Sequence, residues 1–268
     1  MNSTSLANAY VQEHALSDTY RDAILRTASR CERLNKTSVN LFLKSRLGSV
    51  SSVTVANERR MLLTLWRWAY ENQLTDQAPR GILSIRVGHQ SIKAWSRCQL
   101  KKLIECADSF PGKFRFGLPK RFFMKTWVLL GYETGARWGD LWSMRFSDID
   151  VDTIRWNMHK TGDPMVRRLS VPLLVEASRL KYYSPDGRIL GFACNKRYAM
   201  RLWKRLCESA GVDGTSKWLR RTGATHVESE APGKGRLFLG HRTHGMADRH
   251  YLDRGQLMEG APSVPAYG

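Results

Sequence analysis

Acidic residues, paired cysteines and long apolar runs are all scarce in this sequence. Its 24 Asp and Glu stand against 43 Lys and Arg, which gives a formal net charge of +19 over 268 residues. An excess of this size favours polyanionic partners, with nucleic acid as the first candidate and an anionic membrane surface as the second. The membrane is disfavoured because the sequence has no lipidation motif and no apolar run near the roughly 18 residues of a bilayer span.

The five cysteines are odd in number and widely spaced, and no C-x-x-C pair occurs. This pattern argues against a disulfide framework and against a zinc site, so we interpret the cysteines as reduced thiols, mostly in the core. The first 20 residues are polar and lack the apolar centre of a signal peptide. The protein is therefore expected in the cytoplasm.

Two acidic or glycine-rich stretches do not have the pattern of a cofactor site. The acidic run 148–152 is followed by Thr153 and His159, where a calcium loop requires Gly and Glu. The stretch 233–235, GKG, lacks the following Ser or Thr and the preceding strand of a phosphate-binding P-loop. We therefore expect neither a metal ion nor another cofactor.

Hydrophobic periodicity and turn residues divide the chain into two units. Arg-rich helical patterns at 19–34, 38–47 and 53–73, the last capped by Ser51 or Ser52, predict a compact helical domain suited to contacts with a DNA backbone. The predicted boundaries are a lead-in at 1–18, this helical domain at 19–82, a linker at 83–95, a larger second domain at 96–260 and a tail at 261–268.

The second domain is predicted to be mainly α with one small antiparallel β-sheet, an α+β fold. Residues 121–131 predict a buried helix that leads into Arg137, and a short helix follows over 141–145. Alternation over 154–158 predicts a strand that turns at 160–164 and returns over 165–172. Further helices are predicted at 96–109, 173–180, 196–210, 216–229 with Ser216 as its cap, 236–240 and 245–252.

The stretch 134–141, TGARWGDL, places Arg137 at a glycine-flanked helix start. A planar guanidinium suits a phosphate, and Gly135 and Gly139 permit close approach of backbone or ligand. The alternative is a structural ion pair between Arg137 and Asp140.

Four motifs further along supply the other groups that phosphodiester chemistry needs. Lys160 occupies the predicted hairpin tip, and Lys217 and Arg220 lie three residues apart on one helix. His241 follows Leu-Gly, and Tyr251 lies ten residues later. Arginines can stabilise a pentacoordinate phosphorus, a tyrosine can attack it, and a lysine or histidine can transfer the proton. Each residue alone has an ordinary structural explanation, but their joint order and spacing favour catalysis.

With these motifs, the sequence resembles the tyrosine recombinase (phage integrase) family over nearly its whole length. The resemblance implies a core-binding domain and a catalytic domain that close on duplex DNA and cleave and rejoin it through a covalent 3′-phosphotyrosine, without metal or ATP. It implies double-stranded attachment sites, a homotetramer in the synapse, accessory DNA-bending proteins, and a prokaryotic, phage or viral setting. The implied catalytic residues are Arg137, Lys160, Lys217, Arg220, His241 and Tyr251, with Asp140 in support.

Some positions depart from the family's pattern. Lys217 stands where His is commoner, and the interval from His241 to Tyr251 is slightly long, so His244 is an alternative to His241. His226 resembles a supporting histidine of the family and is interpreted as structural. Two other functions stay open, a type IB topoisomerase-like DNA relaxing enzyme and a non-catalytic DNA-binding accessory protein.

Overall fold

The computed structural model describes residues 2–88, 91–240, 251–253 and 256–257. The chain forms two compact units, unit 1 (Met1–Gln90) and unit 2 (Ser91–Gly268). Both are built largely from helices, and unit 2 adds a three-stranded antiparallel sheet. The predicted α+β fold class is confirmed. Among the described residues, none of the helices combines the length and the apolar character that a membrane span requires.

Unit 1 contains four helices, three of which begin at a side-chain cap. The helices are α1 (Ser3–Glu13), α2 (Asp18–Ala28), α3 (Lys36–Leu47) and α4 (Ser52–Glu71). Asn2, Asn35 and Ser51 each accept a hydrogen bond from the backbone N–H three residues later, which satisfies an amide with no partner inside the helix. The longest helix, α4, packs against the other three and buries Leu65 and Trp66 among them.

Residues 1–18, predicted as a lead-in before the first domain, contain α1. Leu6, Ala7 and Tyr10 of this helix are buried in the same core as α2, α3 and α4. The sequence signal for α1 is weak because Ser3, Thr4 and Ser5 open the helix, and these residues are poor helix formers. The first helical unit therefore begins before residue 19.

The predicted linker, 83–95, is anchored to a core at each of its ends. Leu83 packs against the core of unit 1, and its carbonyl accepts a hydrogen bond of 2.7 Å from Arg59 Nε. Ala94 and Trp95 are buried in unit 2, where Trp95 is fully inaccessible. The stretch that belongs to neither core is therefore shorter than predicted.

Unit 2 is assembled around one helix that is buried on nearly every side. Its helices are α5 (Arg97–Asp108), α6 (Lys120–Thr134), α7 (Trp138–Ser143), α8 (Val171–Lys181), α9 (Lys196–Ala210), α10 (Lys217–Glu230) and α11 (Gly235–Phe238). The central helix is α6, which packs against α5, α8 and α10. Phe123, Trp127 and Val128 of α6 have no exposed surface. An all-round apolar helix needs this complete coverage.

The sheet consists of β1 (Ile149–Asp150), β2 (Thr153–Asn157) and β3 (Pro164–Arg168), in that order and antiparallel throughout. Ile154 lies opposite Arg167 and is fully buried, as the alternating pattern predicts. The returning strand ends at Arg168 rather than at 172, because Ser170 caps the first turn of α8. The two-residue strand β1 was not predicted, since it is too short to show a period.

The predicted cap of α10 is wrong. Ser216 has helical backbone angles, and its side chain makes no capping hydrogen bond. A serine caps a helix from an extended backbone conformation, which Ser216 does not have. The predicted piece at 245–252 falls almost wholly outside the described residues, as does the 261–268 tail.

A buried carboxylate in unit 1 provides a stability test. Glu58 is 5% exposed and accepts hydrogen bonds from Arg46 Nε at 3.0 Å and Arg46 Nη2 at 2.8 Å. We expect Glu58→Gln to lower the free energy of unfolding by about 1–3 kcal/mol, because it removes the charge from a buried carboxylate that accepts hydrogen bonds from Arg46. The measurement is unfolding in urea, monitored by circular dichroism.

Glu32→Gln is the matched control, since Glu32 faces Arg33 at the surface. This variant is expected to change stability by less than about 0.5 kcal/mol. Equal effects of the two variants would contradict the structural role assigned to Glu58.

Candidate active site

A tight corner between α6 and α7 positions Arg137. Gly135 ends α6 with a positive φ of 60°, a conformation that glycine adopts without strain. Arg137 follows with extended angles as the N-cap of α7. Its guanidinium Nη1 donates to Met158 Sδ at 3.1 Å. The arginine is thus presented from a packed corner between two helices.

Asp140 joins this corner to the β2–β3 hairpin. The side chain is 2% exposed, and its Oδ2 accepts from the backbone N–H of Arg137 at 3.3 Å. Oδ1 accepts from the backbone N–H of His159 at 2.9 Å. The carboxylate therefore holds the backbone of Arg137 and the base of the turn that carries Lys160. This geometry differs from the ion pair considered as the alternative role of Asp140.

Arg220 is a buried cation that ties together separate segments. It lies in the first turn of α10 and is 5% exposed. One terminal nitrogen donates to the carbonyl of Gly135, and Nη2 donates to the carbonyl of Leu239 at 2.8 Å. Burial and the nearby charge of Arg137 lower the pKa of Arg220 to about 10, so the guanidinium is still charged at neutral pH.

Tyr251 lies against this cation. The centre of its ring is 4.9 Å from Arg220 Cζ. Burial raises the pKa of the Tyr251 hydroxyl, but Arg220 and Arg137 together lower it by more, through their charges and through hydrogen bonds. The net pKa is below the ordinary value for a tyrosine. A phenol that ionises more readily supplies more of the nucleophilic phenolate near neutral pH.

The segment after Tyr251 is attached to the beginning of unit 2. The backbone N–H of Asp253 donates to Thr225 Oγ1 at 3.0 Å, and Asp253 Oδ2 accepts from the backbone N–H of Ala94 at 2.9 Å. Gln256 Nε2 donates to the carbonyl of Ala94 at 2.7 Å. These bonds hold the tyrosine segment against α10 and against the residue that precedes Trp95.

Of the predicted site residues, the structure brings together Arg137, Arg220 and Tyr251, with Asp140 behind the first two. Lys160 is exposed in the β2–β3 turn, as predicted, and Lys217 is exposed at the start of α10. Lys217 and Arg220 therefore differ in environment although they share a helical turn. His241 and its alternative His244 lie outside the described residues.

Phe238 belongs to the site, although no sequence motif points to it. Its ring fills the space that two glycines leave open: a Cβ at Gly223 would lie 2.9 Å from Phe238 Cζ, and one at Gly135 would overlap the ring. The available signal was Gly135 itself, interpreted only as allowing close approach. Gly139, given the same interpretation, has no atom of a described residue beyond its chain neighbours within 4 Å of an added Cβ.

His226 is a structural residue, as interpreted from the sequence. Its Nε2 lies 3.1 Å from the carbonyl of Trp95, so this nitrogen carries the proton and donates it. Nδ1, 3.0 Å from Tyr132 Oη, then accepts from the phenol. Burial lowers the pKa of His226, which favours this neutral form. The ring connects α10 to α6 and to the start of unit 2.

The described part of the chain contains no group of three or more His, Cys, Asp or Glu side chains arranged to hold a metal ion. The acids near the sheet have partners instead. Asp148 accepts from the backbone N–H of Arg145 at 2.7 Å, and Asp152 pairs with Arg168. They stabilise the turns around β1.

The pKa of Tyr251 can be measured without any ligand. Subtracting the ultraviolet pH titration of Tyr251→Phe from that of the unaltered protein isolates the ionisation of this tyrosine. We expect a midpoint below 10, because two guanidiniums stabilise the phenolate.

Tyr132→Phe is the matched control for this titration. Burial raises the pKa of Tyr132, so its difference titration should be centred above 10. A Tyr251 midpoint at or above that of Tyr132 would contradict the site geometry.

Solved structures provide the comparison for this geometry. The chain resembles a 75–356 fragment of lambda integrase, described as a dimer bound to a COC′ core site, with a TM-score of 0.74 and 16% identity, covering 92% of this chain and 97% of that one. XerH site-specific recombinase, in a post-cleavage complex with a palindromic difH substrate, has a TM-score of 0.71 and 16% identity. This match covers 91% of this chain and 79% of the XerH chain. The 82–397 fragment of Tn1549 transposon integrase, in complex with circular intermediate DNA, has a TM-score of 0.73 and 12% identity. This match covers 93% of this chain and 95% of that fragment.

No protein-family model and no curated protein matches this sequence. The likeness to solved structures covers nearly the whole chain at low identity, so it establishes the shared architecture. The resemblance to tyrosine recombinases drawn from the sequence motifs is thereby confirmed at the level of the fold. The chain has the fold of the lambda, XerH and Tn1549 integrases and recombinases.

Proposed function

We propose that this protein is a site-specific DNA recombinase or integrase that cleaves and rejoins duplex DNA through a covalent 3′-phosphotyrosine on Tyr251. The observation that carries the proposal is the convergence of two guanidiniums, Arg137 and Arg220, on one partly buried phenol. A structural tyrosine does not need two cations. A phosphodiester that is attacked by a phenol does, since negative charge accumulates on its oxygens in the transition state.

The proposed step balances without an external energy source. Tyr251 first loses its proton, to His241 or His244 or to water, and its Oη forms a bond to phosphorus while the bond from phosphorus to the 5′ oxygen breaks. Arg137 and Arg220 bind the non-bridging oxygens, and Lys160, on its exposed turn, donates a proton to the departing 5′ oxygen. Attack by a 5′ hydroxyl of another strand reverses the step and releases Tyr251.

Lys217 and His241 complete the proposed catalytic set. Lys217, exposed one turn before Arg220, can supply a further cation to the phosphate. His241 follows the Leu239–Gly240 corner that accepts a hydrogen bond from Arg220. We propose that His241, or His244 as the alternative, donates a hydrogen bond to the phosphate or transfers the tyrosine proton.

Double-stranded DNA is the proposed partner. Positive charge outside the candidate active site also supports this partner. The solvent-exposed side of α9 carries four cations, while Leu202, Trp203 and Leu206 anchor the opposite side in the core. A rigid helix with cations on one side is suited to a row of phosphates. The four cations are Arg197, Arg201, Lys204 and Arg205.

The proposed assembly is a homotetramer on two attachment sites. It is supported by the lambda integrase neighbour described as a tetramer bound to a Holliday junction, with a TM-score of 0.76 and 15% identity. Accessory DNA-bending proteins and a prokaryotic, phage or viral setting belong to the same proposal. A type IB topoisomerase-like enzyme would use the same residues without a synapse.

A nicked duplex that loses its short 5′ fragment on cleavage tests the covalent step. The duplex is first selected by its binding to the protein from a random-sequence pool. We expect a protein–DNA band on a denaturing gel for the unaltered protein and none for Tyr251→Phe. Arg220→Gln should slow its formation about 10²- to 10³-fold, since it removes a group that stabilises the transition state.

The control arms separate the alternatives. Excess EDTA should leave the band unchanged, and its loss would contradict metal-independent cleavage. Relaxation of any supercoiled plasmid without strand exchange between two sites would favour the topoisomerase. Binding without a band in either protein would favour the accessory protein, and a band in both would place the nucleophile elsewhere.

Salt dependence tests the cationic side of α9. The logarithm of the association constant should fall steeply and linearly with the logarithm of salt concentration, because counterions are released from each neutralised phosphate. The double variant Arg197→Gln and Arg201→Gln should reduce this slope by about 2. Lys101→Gln is the control, since Lys101 is on α5 and faces Glu105; an equal change there, or a flat response overall, would contradict the proposal.

A further inference from the structure

Arg167, on β3, has a set of contacts that the proposed chemistry does not use. Its Nη2 donates to the carbonyl of Leu237 at 3.1 Å and also to the carbonyl of Phe238. These two carbonyls belong to the last turn of α11, where backbone oxygens have no partner inside the helix. Burial lowers the pKa of Arg167, as expected for a guanidinium removed from water.

The same guanidinium lies over the ring of Phe238. The distance from Arg167 Cζ to the ring centre is 5.1 Å, within the range of a cation–π contact. The ring of Phe238 occupies the space above Gly135 and Gly223. Gly135 precedes Arg137 by two residues, and Gly223 follows Arg220 by three. Arg167 therefore holds a ring that touches both of the segments that present the active-site arginines.

The backbone just after Phe238 is in direct contact with Arg220. The carbonyl of Leu239 accepts from Arg220 Nη2 at 2.8 Å. Gly240 has a positive φ of 64°, and a Cβ there would lie 2.6 Å from Met165 Sδ of the hairpin. The end of α11 is thus fixed between the β2–β3 hairpin and α10.

We propose that Arg167 is a positioning residue for the cleavage reaction. By holding the carbonyls of Leu237 and Phe238, it fixes the carbonyl of Leu239, and this carbonyl in turn orients the Arg220 guanidinium toward Tyr251. The consequence for cleavage rests on the function proposed above. The consequence for Tyr251 ionisation does not, since it concerns the protein alone.

Among the described residues, three charged groups bear on the Tyr251 hydroxyl or on its neighbour Arg220. Arg220 from α10 and Arg137 from the start of α7 act on the Tyr251 hydroxyl, and Asp140 of α7 lies near Arg220. Arg167 acts on none of these directly. Its removal should therefore change Tyr251 only by displacing Arg220, which makes the ionisation of Tyr251 a specific readout.

The test compares Arg167→Met with Arg168→Met. Methionine keeps much of the aliphatic stem and removes every donor. Arg168 is the neighbouring residue on the same strand, but its side chain is 83% exposed and pairs with Asp152. Both variants lose one positive charge, so an effect of net charge alone would appear in both.

We expect Arg167→Met to move the difference titration of Tyr251 upward, toward the ordinary value for tyrosine, because Arg220 stabilises the phenolate less well. Formation of the covalent complex at neutral pH should slow about 10- to 100-fold, and its pH profile should move to higher pH. DNA affinity should change less than about twofold. Arg168→Met should change neither the titration nor the cleavage rate.

Two further variants keep the test decisive if Arg167→Met does not fold, as judged by circular dichroism. Arg167→Lys keeps the charge and one donor group but not the planar fork, and should give a smaller shift in the same direction. Phe238→Leu keeps the donors and removes the ring, and should also raise the Tyr251 midpoint. Unchanged Tyr251 titration in folded variants would overturn the proposal.

The same two measurements, covalent complex formation and Tyr251 titration, distinguish a failure of the proposed function from a failure of the role of Arg167. If the unaltered protein forms no covalent complex, the proposed function fails, while the Tyr251 titration still decides the role of Arg167. If the complex forms and Arg167→Met matches the unaltered protein, only the role of Arg167 fails. Arg167→Met could instead lower by about 1 the slope of the logarithm of the association constant against the logarithm of salt concentration, with the Tyr251 titration unchanged. That result would identify Arg167 as a phosphate contact.

Discussion

The close approach of two guanidiniums of like charge, Arg137 and Arg220, is the constraint on which the site depends. The charge of Arg137 disfavours the charged form of Arg220, which has also lost most of its water. Such a pair persists only if the surrounding structure supplies compensating groups. The carbonyls of Gly135 and Leu239 supply part of this compensation, and the Tyr251 hydroxyl supplies another part. Under the proposed function, a phosphate bound between the two guanidiniums would add a further compensating charge.

The backbone around the arginines follows from this constraint. A carbonyl can reach a buried guanidinium only where a chain turns, and both acceptors lie at turns after helices. Gly135 ends α6 in a left-handed conformation, and Leu239 precedes Gly240, which has the same conformation. The largely buried α6 supports the first turn, and the hairpin methionines support the second. The packing of α6 and of the hairpin methionines thus determines the positions of the carbonyl oxygens of Gly135 and Leu239.

Much of the fold was predictable because periodicity reports which face of an element is buried. The α9 prediction has the observed bounds, 196–210, because its apolar residues recur at strict helical spacing and Gly211 ends it. In contrast, β1 has only two residues and cannot show a period, and α1 opens with Ser3, Thr4 and Ser5, which are poor helix formers. The returning strand was predicted four residues too long, because the sequence shows apolar character over 165–172 but not the point at which Ser170 starts a helix.

The candidate site was predictable to a different degree. Arg137, Arg220 and Tyr251 were identified by motif, and the structure brings them together, yet motif spacing carries no information on what surrounds them. The roles of Phe238 and Arg167 depend on contacts between residues 15 to 103 positions apart. Such contacts have no local signature, so the sequence showed only the glycines that make room for them. The catalytic roles of all six predicted residues, Arg137, Lys160, Lys217, Arg220, His241 and Tyr251, stay predictions.

The hydrogen bonds between Ala94 and the segment after Tyr251 have a consequence for the order of folding. They join residues 159 positions apart, and so close almost the whole of unit 2 into one loop. Contacts at such separation form late, since the entropy of a long loop is lost before the contact is gained. The buried core around α6 can assemble from nearer partners. Tyr251 should therefore reach its place only after the rest of the unit has folded, so that a partly folded chain holds the two arginines without this tyrosine.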